Sequence, residues 1–173
     1  MKSEGLGVCS SFAASQSAML NVVLVNPEIP PNTGNIGRLC CAVGVPLHLI
    51  RPLGFKIDDR SLKRAGLDYW KHVDLRVWDS LESYLASVQA EQVVLTSSKR
   101  GQIYIKVPFR PDDHILFGPE TTGLSEEMFQ RFPARIARVP ILQGAVRSLN
   151  LATCAGIVVY EALRQIGGLP AHP

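Results

Sequence analysis

No apolar run in this 173-residue sequence approaches the roughly 20 residues needed to cross a bilayer as a helix. The longest, around Gly156–Tyr160, is far shorter. Cysteine is scarce, limited to Cys9, Cys40, Cys41 and Cys154 with no C-x-x-C spacing. A disulfide framework or zinc site is not expected, and the thiols read as small buried side chains in a reducing compartment. His48, His72 and His114 are scattered, with no H-E-x-x-H and no carboxylate cluster, so no metal centre is expected. G-x-G-x-x-G and G-K-[ST] are missing, which removes the two common phosphate-cradling signatures. G-x-S-x-G is missing too, which counts against an ordinary hydrolase. Cys154 lies in an apolar helical stretch with no histidine beside it, which counts against a nucleophilic thiol.

What remains is a globular composition, 46% hydrophobic and 19% charged, of a length that suits one domain with a proper core. The net charge of +3 is small, but its distribution is uneven. Arg51, Lys56, Arg60, Lys63, Arg64, Lys71 and Arg76 crowd one segment, opposed by Asp58, Asp59, Asp68 and Asp74. Lys99, Arg100, Lys106 and Arg110 form a second group. Such groups suit a phosphate backbone, or equally a solvated surface. Residues 1–18 are small and polar without periodicity and read as a flexible tail, with folding expected to begin near Met19. The tail lacks the apolar core of a secretory signal, and with one lysine, no arginine and Glu4 it is a poor organelle signal. The domain is expected over residues 19–168, followed by a short C-terminal tail, 169–173.

Strands are expected at Leu20–Val25, Leu47–Ile50, Val73–Trp78, Gln92–Thr96, His114–Phe117 and Ile136–Pro140. Helices are expected at Asn35–Val43, Ser61–Ala65, Leu81–Val88, Ser125–Phe132 and from Asn150 to Gly167. The prolines of Asn26–Gly34 read as a loop. The last helix is apolar almost all round in its first half, which calls for burial in the core or against a second subunit. Alternating strands and helices imply an α/β fold, a mostly parallel sheet with helices on both faces. Ligands of such folds bind beyond the carboxyl ends of the strands.

Three loops there carry unusual residues. In PPNTGNIGR, residues 30–38, Asn32 or Asn35 could cap the following helix, and Arg38 is expected one turn into it. In FGPETTGLS, residues 117–125, glycines permit a tight turn whose amides can meet a ligand, and Glu120 braces the loop or draws a cation. In RVPILQGAVRSLNLATCAG, residues 138–156, Arg147, Ser148 and Asn150 crowd the start of the long helix. Ser148 could cap that helix, or the cluster could meet a ligand.

Taken in order, MLNVVLVNPEIPPNTGNIGRLC, RAGLDYW, LFGPETTGL, RVPI, RSLNL and VVYEALRQ resemble the tRNA (cytidine(34)-2'-O)-methyltransferases. These belong to the TrmH-like group of the SPOUT class, and the likeness spans Met19 to about Gly168. It implies a C-terminal trefoil knot, a homodimer in the cytoplasm, and S-adenosylmethionine bent into the knot and converted to S-adenosylhomocysteine. The implied substrate is the ribose of nucleotide 34, a cytidine or modified uridine, in the anticodon of leucine tRNAs. No metal is implied. Carried over by position, Leu95, Gly118, Val139 and Ser148 are the expected cofactor contacts. Arg38, Asn32, Ser148 and Asn150 are the expected catalytic group, and Glu120 matches the acid of the second motif. Arg38 is the family's candidate for activating the 2'-hydroxyl. A guanidinium stays protonated in proteins, so binding the adjacent phosphate and steadying the alkoxide suits it better. One position departs from the pattern: Ala152 stands where relatives carry a second serine. The same chemistry at another tRNA or rRNA position, or a non-catalytic RNA-binding factor, are the rival readings.

Overall fold

A computed structural model describes residues 20–56 and 68–170. The expected N-terminal tail, the expected turn at Ser61–Ala65, and Arg60, Lys63 and Arg64 lie outside the described residues. Seven strands form one sheet: β1 Asn21–Val25, β2 Leu47–Ile50, β3 Leu75–Trp78, β4 Val93–Ser97, β5 Gln102–Ile103, β6 His114–Phe117 and β7 Ile136–Arg138. Their order is β3-β2-β1-β6-β4-β7-β5, and every pairing is parallel.

The four principal helices are α1 Pro30–Val43, α2 Leu81–Leu85, α3 Glu126–Arg131 and α4 Leu151–Gln165. Alternate strand residues serve opposite faces. Val22, Leu24, Val94, Ile115 and Phe117 pack with Ile36 and Cys40 of α1 and Ala155, Val158, Val159 and Ala162 of α4. Val23, Val25, Val93, Leu95 and Leu116 pack with Tyr84 and Leu85 of α2 and Met128 of α3. The central strands are buried on both sides, which is why they read as continuous β-branched and leucine runs.

The structure corrects several expected boundaries. α1 starts at Pro30, inside the stretch expected to be a loop, with prolines at its first two positions. Proline is tolerated there because those N–H groups have no intrahelical partner. Asn32 therefore lies within the helix and caps nothing, nor does Asn35, since Ile29 holds the cap position. Arg38 lies two turns in, not one. Asn150, not Ser148, caps α4, its Oδ1 accepting from Ala152 N at 2.9 Å and Thr153 N at 3.3 Å. Ser80 caps α2 and Ser125 caps α3 through their side chains. β7 ends at Arg138, and the two-residue β5 has no sequence pattern long enough to read.

Candidate functional site

The strand order decides where the unusual loops meet. β1, β6, β4 and β7 are consecutive neighbours, so the segments leaving their carboxyl ends lie side by side at one edge of the sheet. Those segments are 26–29, 118–124, 98–101 and 139–149. Three of them, 26–29, 118–124 and 139–149, hold or lead directly into the residues singled out above.

A hydrogen-bonded chain joins them. Asn150 Nδ2 donates to Asn32 Oδ1 at 2.8 Å, and Asn32 Nδ2 donates to Glu120 Oε1 at 3.1 Å. The same Glu120 oxygen accepts from Ile29 N at 3.2 Å, and Oε2 accepts from Glu28 N at 2.8 Å. Glu120 thus sits against the start of α1, where a carboxylate is favoured by the helix dipole. The start of α1, the β6 turn and the start of α4 are held by residues 118 positions apart in sequence. Asn32 is buried, with 5% of its surface exposed, and a buried amide needs such partners. The neighbouring Thr33 hydroxyl is buried without a hydrogen-bond partner among the described residues.

The β6 turn is folded hard on itself. A Cβ at Gly118 would lie 2.3 Å from Gly123 C and Leu124 N, and Gly123 adopts a φ of +72°. Only glycine satisfies both positions without strain.

Arg38 is exposed, and its guanidinium lies over the Tyr69 ring, 4.6 Å from the centroid. The Tyr69 hydroxyl donates to Gly34 O at 2.7 Å. Next to it, Trp70 lies against Gly37, where a Cβ would fall 2.6 Å from the ring. The 3-10 turn Asp68–His72 thereby docks on the arginine-bearing face of α1. Tyr69 and Glu28 were not singled out from the sequence. Both stand inside segments with an unusual pattern, LDYW and NPEIP, and only the fold shows what they touch.

The remaining expected residues fall as follows. Leu95 is fully buried and faces the α2–α3 side, while Val139 is buried on the α1–α4 side. Their side chains belong to opposite cores, so only their backbone can border a common ligand. Gly118 is buried in the turn, and Ser148 is exposed in the 141–149 segment, outside the Asn32 network. Ala152 contributes its backbone N–H to the Asn150 cap, so the missing hydroxyl removes no member of that network.

The expected basic groups are partly neutralised. Arg51 pairs with Asp79 at 3.7 Å, Arg76 with Asp74 at 2.9 Å and Arg100 with Glu126 at 2.7 Å. Among the described residues Lys56, Lys71, Lys99, Lys106 and Arg110 form no ion pair.

Burial pushes the Cys40 thiol up to about 12 and that of Cys154 to about 11, so neither is a ready nucleophile. Two of the histidines that look scattered in sequence meet in the fold. His48 and His114 lie with ring centroids 6.3 Å apart beside Tyr84 and Trp78. Among the described residues, no group of three or more His, Cys, Asp or Glu is placed to hold a metal ion.

Comparisons with known proteins point to one family. The model of the SpoU rRNA methylase family matches residues 19–160. The tRNA (cytidine(34)-2'-O)-methyltransferase of Aeromonas hydrophila is 45% identical over 150 residues, covering 86% of this chain and 96% of its own. A solved structure described as giving insights into the 2-OH methylation of C/U34 on tRNA superposes with a TM-score of 0.78. That structure is 48% identical over 86% of this chain and 91% of its own. An AdoMet-bound rRNA methyltransferase from Sinorhizobium meliloti gives 0.73 at 26% identity, covering 86% of this chain and 57% of its own. With a family match over most of its length and a sheet carrying its motif loops on neighbouring strands, the chain belongs to the SpoU rRNA methylase family.

Proposed function

We propose that this chain transfers a methyl group from S-adenosylmethionine to the ribose 2'-hydroxyl of nucleotide 34, the wobble position, of tRNA. The observation that carries the reading is the Asn150–Asn32–Glu120 chain, which ties three of the family's motif segments into one site. The 45% identity to the Aeromonas hydrophila enzyme over 86% of the chain supports the nucleotide position.

The residues present fit the cofactor. The turn at the end of β6 leaves no room for a Cβ at Gly118, Val139 directly follows β7, and Leu95 lies within β4 between those two strands. S-adenosylmethionine supplies an electrophilic methyl on a sulfonium. The chain itself must hold donor and acceptor in line at near-attack distance. Asn32 and Asn150 orient the acceptor side, each with its amide direction fixed by the network. Arg38, steadied on the Tyr69 ring, turns its guanidinium toward a phosphate and the developing alkoxide. Ser148 closes the donor side.

The finer features of the reading are leucine tRNA as substrate, a cytoplasmic site of action alongside tRNA, a trefoil knot built from the segments after β6 and β7, and a homodimer. The homodimer draws support from α4. Thr153, Gly156, Ile157 and Tyr160 share one stripe of that helix, with Tyr160 48% exposed and open space beyond Gly156.

The test is incubation with labelled S-adenosylmethionine and bulk tRNA, followed by mapping of 2'-O-methyl groups. Methyl at position 34 is expected. Methyl at another position, or on rRNA, would replace this substrate with the rival one. No transfer to any RNA would leave a binding factor. Arg38→Ala should lower transfer by about a hundredfold or more, the scale of losing one transition-state donor.

A further inference from the structure

We propose that Glu28 is a positioning residue that couples the Gly118–Gly123 turn to the start of α1, so that filling the methyl-donor side of the site tightens the RNA side. The inference rests on the functional reading above.

Glu28 Oε2 accepts from Thr121 N at 2.9 Å, and Oε1 accepts from Thr121 Oγ1 at 2.8 Å. In return the Glu28 amide donates to Glu120 Oε2 at 2.8 Å. Each segment places a carboxylate on the other's backbone, and the two bonds run in opposite directions. Neither segment can shift along the other without breaking one of them. Gly54 backs the arrangement, donating to Pro27 O at 2.9 Å. A Cβ at Gly54 would lie 2.8 Å from Glu28 Cα, so the Glu28 backbone has no room to retreat.

The Thr121 half of the clasp lies at the surface. Thr121 is exposed and both its bonds to Glu28 are exposed, as is the bond from Ile29 N to Glu120, whereas the bonds of Glu120 to Glu28 N and to Asn32 are half-buried. Bonds to a carboxylate are stronger than neutral ones, but water competes for them at the surface. An exposed contact of this kind opens without disturbing the core. It therefore supplies a local two-state element, which each of the two sides can bias. On one side is the turn that would border the cofactor. On the other, two residues beyond Glu28, α1 begins and carries Asn32 and Arg38. A ligand that orders the turn closes the clasp and fixes the first turn of α1 before RNA arrives.

The test is equilibrium binding of tRNA to the full chain, with and without saturating S-adenosylhomocysteine. The ratio of the two dissociation constants is the coupling, and each ligand's affinity alone is measured in parallel. For the unaltered chain, tRNA should bind about tenfold more tightly with S-adenosylhomocysteine present. Glu28→Ala, and independently Thr121→Val, which removes the hydroxyl alone, should bring the ratio to about twofold or less. Glu28→Gln keeps an acceptor for the Thr121 hydroxyl and should retain part of the coupling. Lost coupling at an unchanged melting temperature supports the proposal, and Thr121→Val decides it if Glu28→Ala does not fold. A ratio in Thr121→Val equal to that of the unaltered chain overturns it. If the unaltered chain binds both ligands with a ratio of one, this inference fails and the functional reading stands. If it binds neither, both fail.

Discussion

Asn150 has an amide with one acceptor and two donor hydrogens, and both ends are in use. The oxygen caps α4, and the nitrogen donates to Asn32. The direction of the whole chain is set by its far end, because an ionised carboxylate can only accept. Glu120 therefore orients Asn32, and Asn32 orients Asn150. Two substitutions separate the cap from the orientation. Asn150→Asp keeps an oxygen at the cap and adds a negative charge that suits a helix start, but it sets an acceptor against Asn32 Oδ1. Its melting temperature should stay within a few degrees of the unaltered chain, about what a change below 1 kcal/mol produces, while methyl transfer falls at least tenfold. Asn150→Ala should lose about 1 kcal/mol of stability as well. Equal transfer by Asn150→Asp and the unaltered chain would show that the amide acts as a cap alone. These roles are only half legible in the sequence. Asn32 and Asn150 stand out as polar residues beside apolar helices, but their partnership joins residues 118 apart and needs the fold. Ser148 could cap the helix by residue type, as asparagine can, but it lies two positions before the boundary, where Asn150 holds the cap.

At the level of elements, the strands were legible because runs such as LNVVLV and HILF have no other economical use than a sheet interior. The start of α1 was not. Pro30 and Pro31 read as loop residues, and nothing in composition separates a proline that ends a helix from one that opens it. The burial pattern of α4 was legible in part. Its all-round apolar first half calls for cover on more than one side, and the described residues cover only one. Ala155, Val158, Val159 and Ala162 are buried, whereas Thr153 and Tyr160 are exposed and Gly156 and Ile157 only half-buried. A glycine within a helix costs about 1 kcal/mol relative to alanine, and open space beyond Gly156 gives that residue no task among the described residues. A second copy lying close along this stripe would give it one. Sedimentation should then find a dimer, and Tyr160→Asp, which puts a charge in the stripe, should shift it to monomer with the domain still folded. A monomer in the unaltered chain at micromolar concentration would remove the dimer from the functional reading.

The motif loops leave the carboxyl ends of the strands, whereas His48 and His114 lie in the amino-terminal halves of β2 and β6. Trp78 Nε1 donates to His48 Nδ1 at 3.1 Å, which leaves the imidazole hydrogen on Nε2, facing Asn21 Oδ1 at 3.3 Å. The Tyr84 hydroxyl bonds His114 Nδ1. Burial holds both histidines down to about 4; Arg76 and His114 add to the effect on His48, where Asp74 opposes it in part, and Asp112 opposes it in part at His114. A proton on His48 Nδ1 would also displace the Trp78 bond. Unfolding returns both rings to an ordinary value near 6.5. Above that pH neither state is protonated, and the pair has no effect on the balance. Below it the unfolded chain takes up protons that the folded chain refuses, so stability falls as pH drops from about 6.5 toward 4 and levels off beneath. The slope is at most about 1.4 kcal/mol per pH unit for each histidine. Urea unfolding at pH 7.5, 6.5, 5.5 and 4.5 would read this directly. The midpoint should fall a little from 7.5 to 6.5 and more steeply at 5.5 and 4.5. In His114→Phe, which keeps a ring in the cluster but cannot bind a proton, the drop should be about half as steep. A drop of unchanged steepness would assign the acid sensitivity to other groups and leave the paired histidines as packing alone.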